Sequence, residues 1–253
     1  MKQSQFYYLL RRGLFSAGSA IIKNGLVMFN KFTTAGLNFP AQGSAEFNGT
    51  SDYIQLNDPF SHTSHTIAAW VYAESDGTFK FIFDNRDSSL DGIFILINSS
   101  EQLSYRVNNS SITTSQSFPD EWVFITATYD GTTQKFYANG SLIASASTSQ
   151  TISTSTNALI GRNAIAVQEY FNGNLANVAI WNRALSSDEI NSVMWKSYEA
   201  LSGTESNGLQ AWYSLDDITS PAASLANMEQ LATDKDATIE NKAAVTAAIN
   251  ALS

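Results

Sequence analysis

The sequence segment Asp84-Asn85-Arg86-Asp87, with Asp91 close behind, gathers hard oxygen donors of the kind that calcium takes. Calcium commonly needs about six or more oxygens drawn from several loops, so Asp84, Asn85, Asp87 and Asp91 are candidate ligands rather than a complete site. Such a run of carboxylates is also the ordinary composition of a solvated turn. His62 and His65, in SHTSHT, have a spacing that one metal could share, but no third ligand converges on them and they read as surface loop residues. Tyr105, Gln168, Glu169 and Tyr170, with Phe171, fall near expected loops. There, aromatic faces can stack on sugar rings while amide and carboxylate groups take up hydroxyls. Trp70, Trp122 and Trp181 fall in expected strands and are assigned to the core. The triplets that open at Asn48, Asn98 and Asn139 match glycosylation acceptors and are better explained as turns.

Composition narrows the chemistry available to these residues. There is no cysteine among the 253 residues, so thiolate metal sites, disulfides and thiol nucleophiles are excluded. A net charge of -9 argues against a general nucleic-acid surface, which needs Lys and Arg to neutralise phosphates. The charge is unevenly spread: Lys2, Arg11, Arg12, Lys23 and Lys31 all precede the first acidic residue, Glu46. The chain therefore has a basic, aromatic-rich arm followed by an acidic body. Phe6 to Leu10 is too short for the hydrophobic region of a secretory signal, and Arg11-Arg12 interrupt it; twin-arginine export is a minor alternative. No run of the sequence is long enough to span a membrane as a helix.

The elements that must position the candidate residues are short strands. The segment WVFITATYDGTTQKFYANG, Trp122 to Gly140, holds two strand-like runs, each ending in a pair suited to a type I′ turn, Asp130-Gly131 and Asn139-Gly140. Along the first run Trp122, Phe124, Thr126 and Thr128 face one way and Val123, Ile125, Ala127 and Tyr129 the other. Apolar residues on both faces suit a strand buried inside a two-sheet core. Strands are expected upstream at Ala45–Phe47, Tyr53–Leu56, Thr66–Tyr72, Lys80–Asp84, Ile93–Asn98 and Gln102–Val107. Downstream they are expected at Leu142–Ala146, Ala158–Gly161, Gly173–Trp181 and Gly208–Leu215. The Ser/Thr-rich stretch STSQTISTSTN reads as a polar hairpin or edge strand. Ser186 and Glu189 have capping-box spacing, and Leu185 with Ile190 form a staple, so a helix is expected to start there and to run through Leu201 to a stop at Gly203. From Ser224 to Leu252 the sequence is Ala-rich and predicts two short helices.

Four segments together resemble the laminin-G-like branch of the concanavalin A-like sandwiches: AEFNGTSDYIQL, TIAAWVY, EWVFITATYDGTTQKFYANGSLIAS and LIGRNAIAVQEYFNGNLANVAIWNRALSSDEI. The resemblance implies a mainly β jelly-roll sandwich of two antiparallel sheets, used across the family mainly to bind carbohydrates or proteins. With it, the chain divides into an arm (1–36), a sandwich (37–218) and a helical tail (219–253). The related enzyme branch carries its carboxylates as E-x-D-x-x-E. The nearest match is Glu74-Ser75-Asp76-Gly77-Thr78-Phe79, where Phe79 replaces the third carboxylate and Gly77 signals a turn. Some relatives bind calcium on rim loops. Where pentraxins place an acid-amide-acid cluster this chain has Asn163-Ala164-Ile165, with Gln168 and Glu169 as substitutes from further along. Ala176-Asn177 stand where other relatives have acids.

The expected function is that of a non-enzymatic structural and binding protein. The leading form is an accessory or decoration component of a bacteriophage virion, assembled in the host cytoplasm. Its arm and tail would dock on neighbouring virion proteins or on further copies of the chain, and its sandwich would display a carbohydrate- or protein-binding surface. It would require no cofactor, with calcium as a candidate, and would have no nucleic-acid partner. The alternatives are a secreted or cell-surface bacterial carbohydrate-binding module and a glycan-active enzyme with an unrecognised site.

Overall fold

The computed structural model describes residues 44–56, 62–86, 91–150, 152 and 158–215. The basic arm, the tail expected to form two helices and most of the Ser/Thr-rich stretch lie outside them. The strands in chain order are β1 (Ala45–Asn48), β2 (Ile54–Leu56), β3 (His65–Ala73), β4 (Lys80–Asp84), β5 (Ile93–Ile97), β6 (Gln102–Val107) and β7 (Ser110–Ser117). After them come β8 (Trp122–Tyr129), β9 (Thr133–Ala138), β10 (Ser141–Ser147), β11 (Ala158–Ile160), β12 (Asn172–Trp181) and β13 (Leu209–Tyr213). They form two antiparallel sheets. The 7-stranded sheet runs β1-β12-β3-β8-β9-β10, with β13 also on β12, and the 6-stranded sheet runs β2-β11-β4-β5-β6-β7. This is the expected jelly-roll sandwich.

The alternation expected for β8 is found. Val123, Ile125, Ala127 and Tyr129 enter the core between the sheets, where they meet Ile93, Ile95, Leu103, Tyr105 and Val107. Each such fully buried side chain contributes about 1.5–3 kcal/mol. Phe124 faces outward into a second apolar layer with Trp70, Trp181, Ile190 and Met194. That second layer is why β8 is apolar on both faces. Asn139 and Gly140 both have positive φ, as a type I′ turn requires. The other turn differs from expectation. Only Gly131 has positive φ, and Asp130 Oδ1 instead accepts the amides of Thr132 at 2.9 Å and Thr133 at 2.8 Å. The Asp side chain thus closes this loop in place of a two-residue turn.

β7 was not anticipated, because SSITTSQS turns only Ile112 and Thr114 inward and lacks the apolar alternation of a half-buried strand. It is an edge strand with a polar outer face. The helix α1 (Ser187–Val193) starts as expected: Ser186 Oγ accepts the Glu189 amide and Glu189 Oε2 accepts the Ser186 amide, with Leu185 and Ile190 both buried. It stops sooner than expected. The Trp70 indole donates to the Met194 carbonyl at 3.1 Å, and the chain turns through Trp195, which stacks on Trp70, into a short 3-10 turn at Tyr198–Ala200. The stripe through Leu201 still packs on the second layer without being helical. Among the described residues no helix is long and apolar enough to cross a membrane.

On β12, the four residues from Ala176 to Ala179 span three on β3, from Trp70 to Ala68. The extra residue makes a bulge, and Asn177 there takes a positive φ, a region Asn tolerates well. The bulge accounts for Ala176-Asn177 at this position without any ligand role.

Candidate functional site

Register brings three loops to one rim. Asn48 lies opposite Asn172, and Ala73 opposite Gly173, so the β1–β2 loop, the β3–β4 loop and the β11–β12 loop all open at the same end. Between them is a depression of about 360 Å³ lined by Gly49, Thr78, Phe79, Glu169 and Tyr170. Phe79 is 43% exposed, and Ile165 and Val167 of the β11–β12 loop are exposed as well.

Close packing holds the β11–β12 loop at both ends. A Cβ at Gly161 would lie 2.6 Å from the Phe47 ring, and one at Gly173 would lie 2.1 Å from the Tyr72 carbonyl. Both also have positive φ, so only glycine fits without rearrangement. Phe171 is fully buried with its ring edge against Phe47, which pins the end of the loop and corrects the expectation that Phe171 contacts ligand. Asn163 organises the middle: its Oδ1 accepts the amides of Ile165 and Ala166, and its Nδ2 donates to Glu169 Oε2 at 2.6 Å. Glu169 is held with positive φ on the edge of the depression.

The residues expected as metal ligands serve this scaffold. Asp84 is fully buried and accepts two bonds from Arg86, Nε at 2.9 Å and Nη2 at 2.6 Å, as well as the Ala164 amide at 2.9 Å. Arg86 also lies over the rings of Phe81 and Phe94. Asn85 Oδ1 accepts the Ile93 amide at 2.6 Å. A guanidinium thus occupies the place where Asp84 would have met a cation, which corrects the reading of Asp84 and Asn85 as calcium ligands. Asp87 lies outside the described residues and Asp91 is half-buried. Among the described residues no group of three or more His, Asp or Glu could hold a metal ion.

His65 and Tyr105 are also corrected. Both are fully buried, with His65 Nε2 and the Tyr105 hydroxyl 2.7 Å apart. Burial, helped by the charge of His62, lowers the His65 pKa to about 3, so the ring is neutral in the core. Tyr105 cannot reach a ligand. Gln168 is exposed, with Glu169 and Tyr170 next to it on the depression. The carboxylates of the E-x-D-x-x-E match lie in the β3–β4 loop, with Gly77 at positive φ as its turn signal implies. Asp76 bridges to Lys80 at 2.7 Å, and that buried ammonium also meets Glu101 at 3.3 Å. Burial alone would raise the Asp76 pKa, but hydrogen bonds from Lys80, Thr78 and Asn172 hold it well below the usual carboxylate range.

The sequence reading singled out neither Phe79, which lines the depression, nor Arg162. The Arg162 guanidinium lies 4.0 Å from the centroid of Tyr53 and 6.0 Å from that of Tyr170. Its position directly after Gly161, at the start of the loop, was the available signal.

The model of one protein family, the concanavalin A-like lectin/glucanases superfamily, matches residues 48–191, more than half of the chain. The chain belongs to the concanavalin A-like lectin/glucanase superfamily. Solved structures with the same fold include a provisionally assigned carbohydrate-binding protein from Bacteroides ovatus. It is 17% identical over 69% of this chain and 51% of that one, with a TM-score of 0.56. This superfamily member therefore spans about half the length of the Bacteroides protein. A heptameric SAP-like pentraxin from Limulus polyphemus is 20% identical over 60% of this chain and 81% of that one, with a TM-score of 0.50. No curated protein matches the chain by sequence.

Proposed function

We propose that this protein is a non-enzymatic binding protein whose sandwich engages glycan at the rim depression. The observation that carries the reading is the exposed Phe79 ring beside Tyr170 and Glu169 on a concave surface: an apolar face to stack on a sugar ring, with polar groups next to it to take hydroxyls. The Bacteroides neighbour's assignment to carbohydrate binding agrees with it. The non-enzymatic part is supported by the state of the carboxylates. The nearest match to the glucanase motif lacks its third carboxylate, with Phe79 in that place, and its Asp76 is held by Lys80 at 2.7 Å.

We place the protein on a bacteriophage virion as an accessory or decoration component, with the basic apolar arm and the Ala-rich tail as attachments to neighbouring proteins or further copies. The support is compositional: apolar residues as dense as those from Phe6 to Phe32 need a surface to cover them. A glycan array probed with the intact chain, followed by analysis of any products, tests the binding reading. Retention of glycans without turnover supports it, turnover overturns the non-enzymatic part, and absence of retention overturns the glycan part. Cross-linking in the native assembly tests the attachment.

A further inference from the structure

Arg162 is the one described arginine at the rim whose charge nothing answers. Asp84 takes the charge of Arg86, and Glu189 that of Arg183. Arg162, by contrast, forms no ion pair among the described residues, and its Nε is buried without a partner. Its guanidinium is held against the Tyr53 face and near Tyr170, while Arg162, Tyr53 and Tyr170 all keep part of their surface open to solvent. Stacking on a tyrosine face fixes the plane of a guanidinium without using its donors. A buried donor left unmade costs free energy, so a fold that keeps one needs a compensating gain. Tyr170 is shared between this arginine and the depression, so a sugar seated beside Phe79 would present a ring substituent to Arg162.

We propose that Arg162, oriented by Tyr53 and Tyr170, is an anion-reading subsite that selects glycans bearing a carboxylate or a sulfate ester on the sugar in or next to the depression. Planar arginine matches such groups through paired, charge-assisted hydrogen bonds. This inference rests on the rim being the glycan site. Glu169, next to Tyr170 in the chain, is bonded by Asn163, which gives its carboxylate a partner other than Arg162.

The test uses the intact chain and three matched oligosaccharides: one ending in glucuronate, its carboxyl-reduced neutral counterpart and a sulfated counterpart. The glucuronate or sulfate form is expected to bind about 10-fold or more tightly than the neutral form. Arg162→Ala should remove that preference while leaving neutral binding in place, Arg162→Lys should restore part of it, and Phe79→Ala should weaken all three. Preference for the carboxylate over the sulfate, or the reverse, identifies the source of the anion. Equal binding of acidic and neutral forms overturns the subsite and leaves the glycan reading standing. If no oligosaccharide binds, the Arg162 Nε–H resonance is followed during titration with glucuronate and with sulfate. A shift at Arg162 while the Nε–H resonances of the paired Arg86 and Arg183 stay in place keeps the anion site and removes the glycan reading, and no shift, or one shared by all three, overturns both.

Discussion

The outer face of the 7-stranded sheet and the rim around the β11–β12 loop are built from similar residues, aromatics, arginine and glutamate, and use them in opposite ways. On the sheet face the largest polar tips that are bonded find their partners inside the fold. The Trp70 indole donates to Met194, the Trp181 indole to the Glu205 carbonyl at 2.7 Å, and Arg183 makes a two-pronged pair with Glu189. At the rim, Phe79 and Val167 stand exposed and Arg162 is unpaired. Satisfied polar groups over a dry layer stabilise a fold, whereas unsatisfied ones on a concave surface await something from outside. The carboxylates near the rim differ from Arg162 in the same way: Asp84, buried, and Asp76, exposed, are already held by Arg86 and Lys80.

Trp181→Ala should break the sheet face hardest, with a loss of about 3–5 kcal/mol from the cavity it leaves, read by chemical denaturation. Glycan affinity of the folded fraction should hold. Arg86→Met acts on the scaffold of the rim itself. It strands the buried Asp84 carboxylate, for a loss of about 3 kcal/mol, and it frees the Asp84 that anchors Ala164, so rim binding should weaken as well. If binding were untouched, the loop would not depend on that ion pair.

Acid should act on the structural regions. His65 has a folded pKa lowered to about 3 from 6.5, so the unfolded chain binds a proton first. Its contribution is fully present above pH 6.5 and is lost progressively as pH falls toward 3. Glu189, drawn down to about 2 by hydrogen bonds from Arg183 against the effect of burial, contributes stability above its ordinary value of 4.5 that is lost as pH falls through about 2. Denaturant midpoints against pH should flatten between pH 6.5 and 3 in His65→Gln, and below pH 4.5 in Glu189→Gln. Ser186→Ala, which removes half of the capping box, should cost about 1 kcal/mol with no change at the rim.

What could be read from the sequence follows the range of the interactions. The Asn139-Gly140 turn, the capping box at Ser186 and the alternation along β8 are set by neighbours in the chain, and all three are found. β7 was hidden because an edge strand with a solvated face needs little apolar pattern. Tyr105 was assigned to ligand contact although Leu103, Tyr105 and Val107 alternate within an expected strand, and that period already pointed it inward. Asp84 looked like a metal ligand because its partner, Arg86, was counted as part of the same polar loop. Arg86 finds its partner two residues back, at Asp84, whereas Arg162 lies over Tyr53 from a distant part of the chain, and only the folded chain shows that contact.

The central claim is that the rim binds and the sheet face does not. The most direct measurement is glycan-array retention by the intact protein and by Phe79→Ala, with a denaturation curve on each preparation. The expected result is a stability unchanged to within about 0.5 kcal/mol, as for a surface substitution, with loss of the glycans the parent retains. Full retention by the variant at equal stability would contradict it.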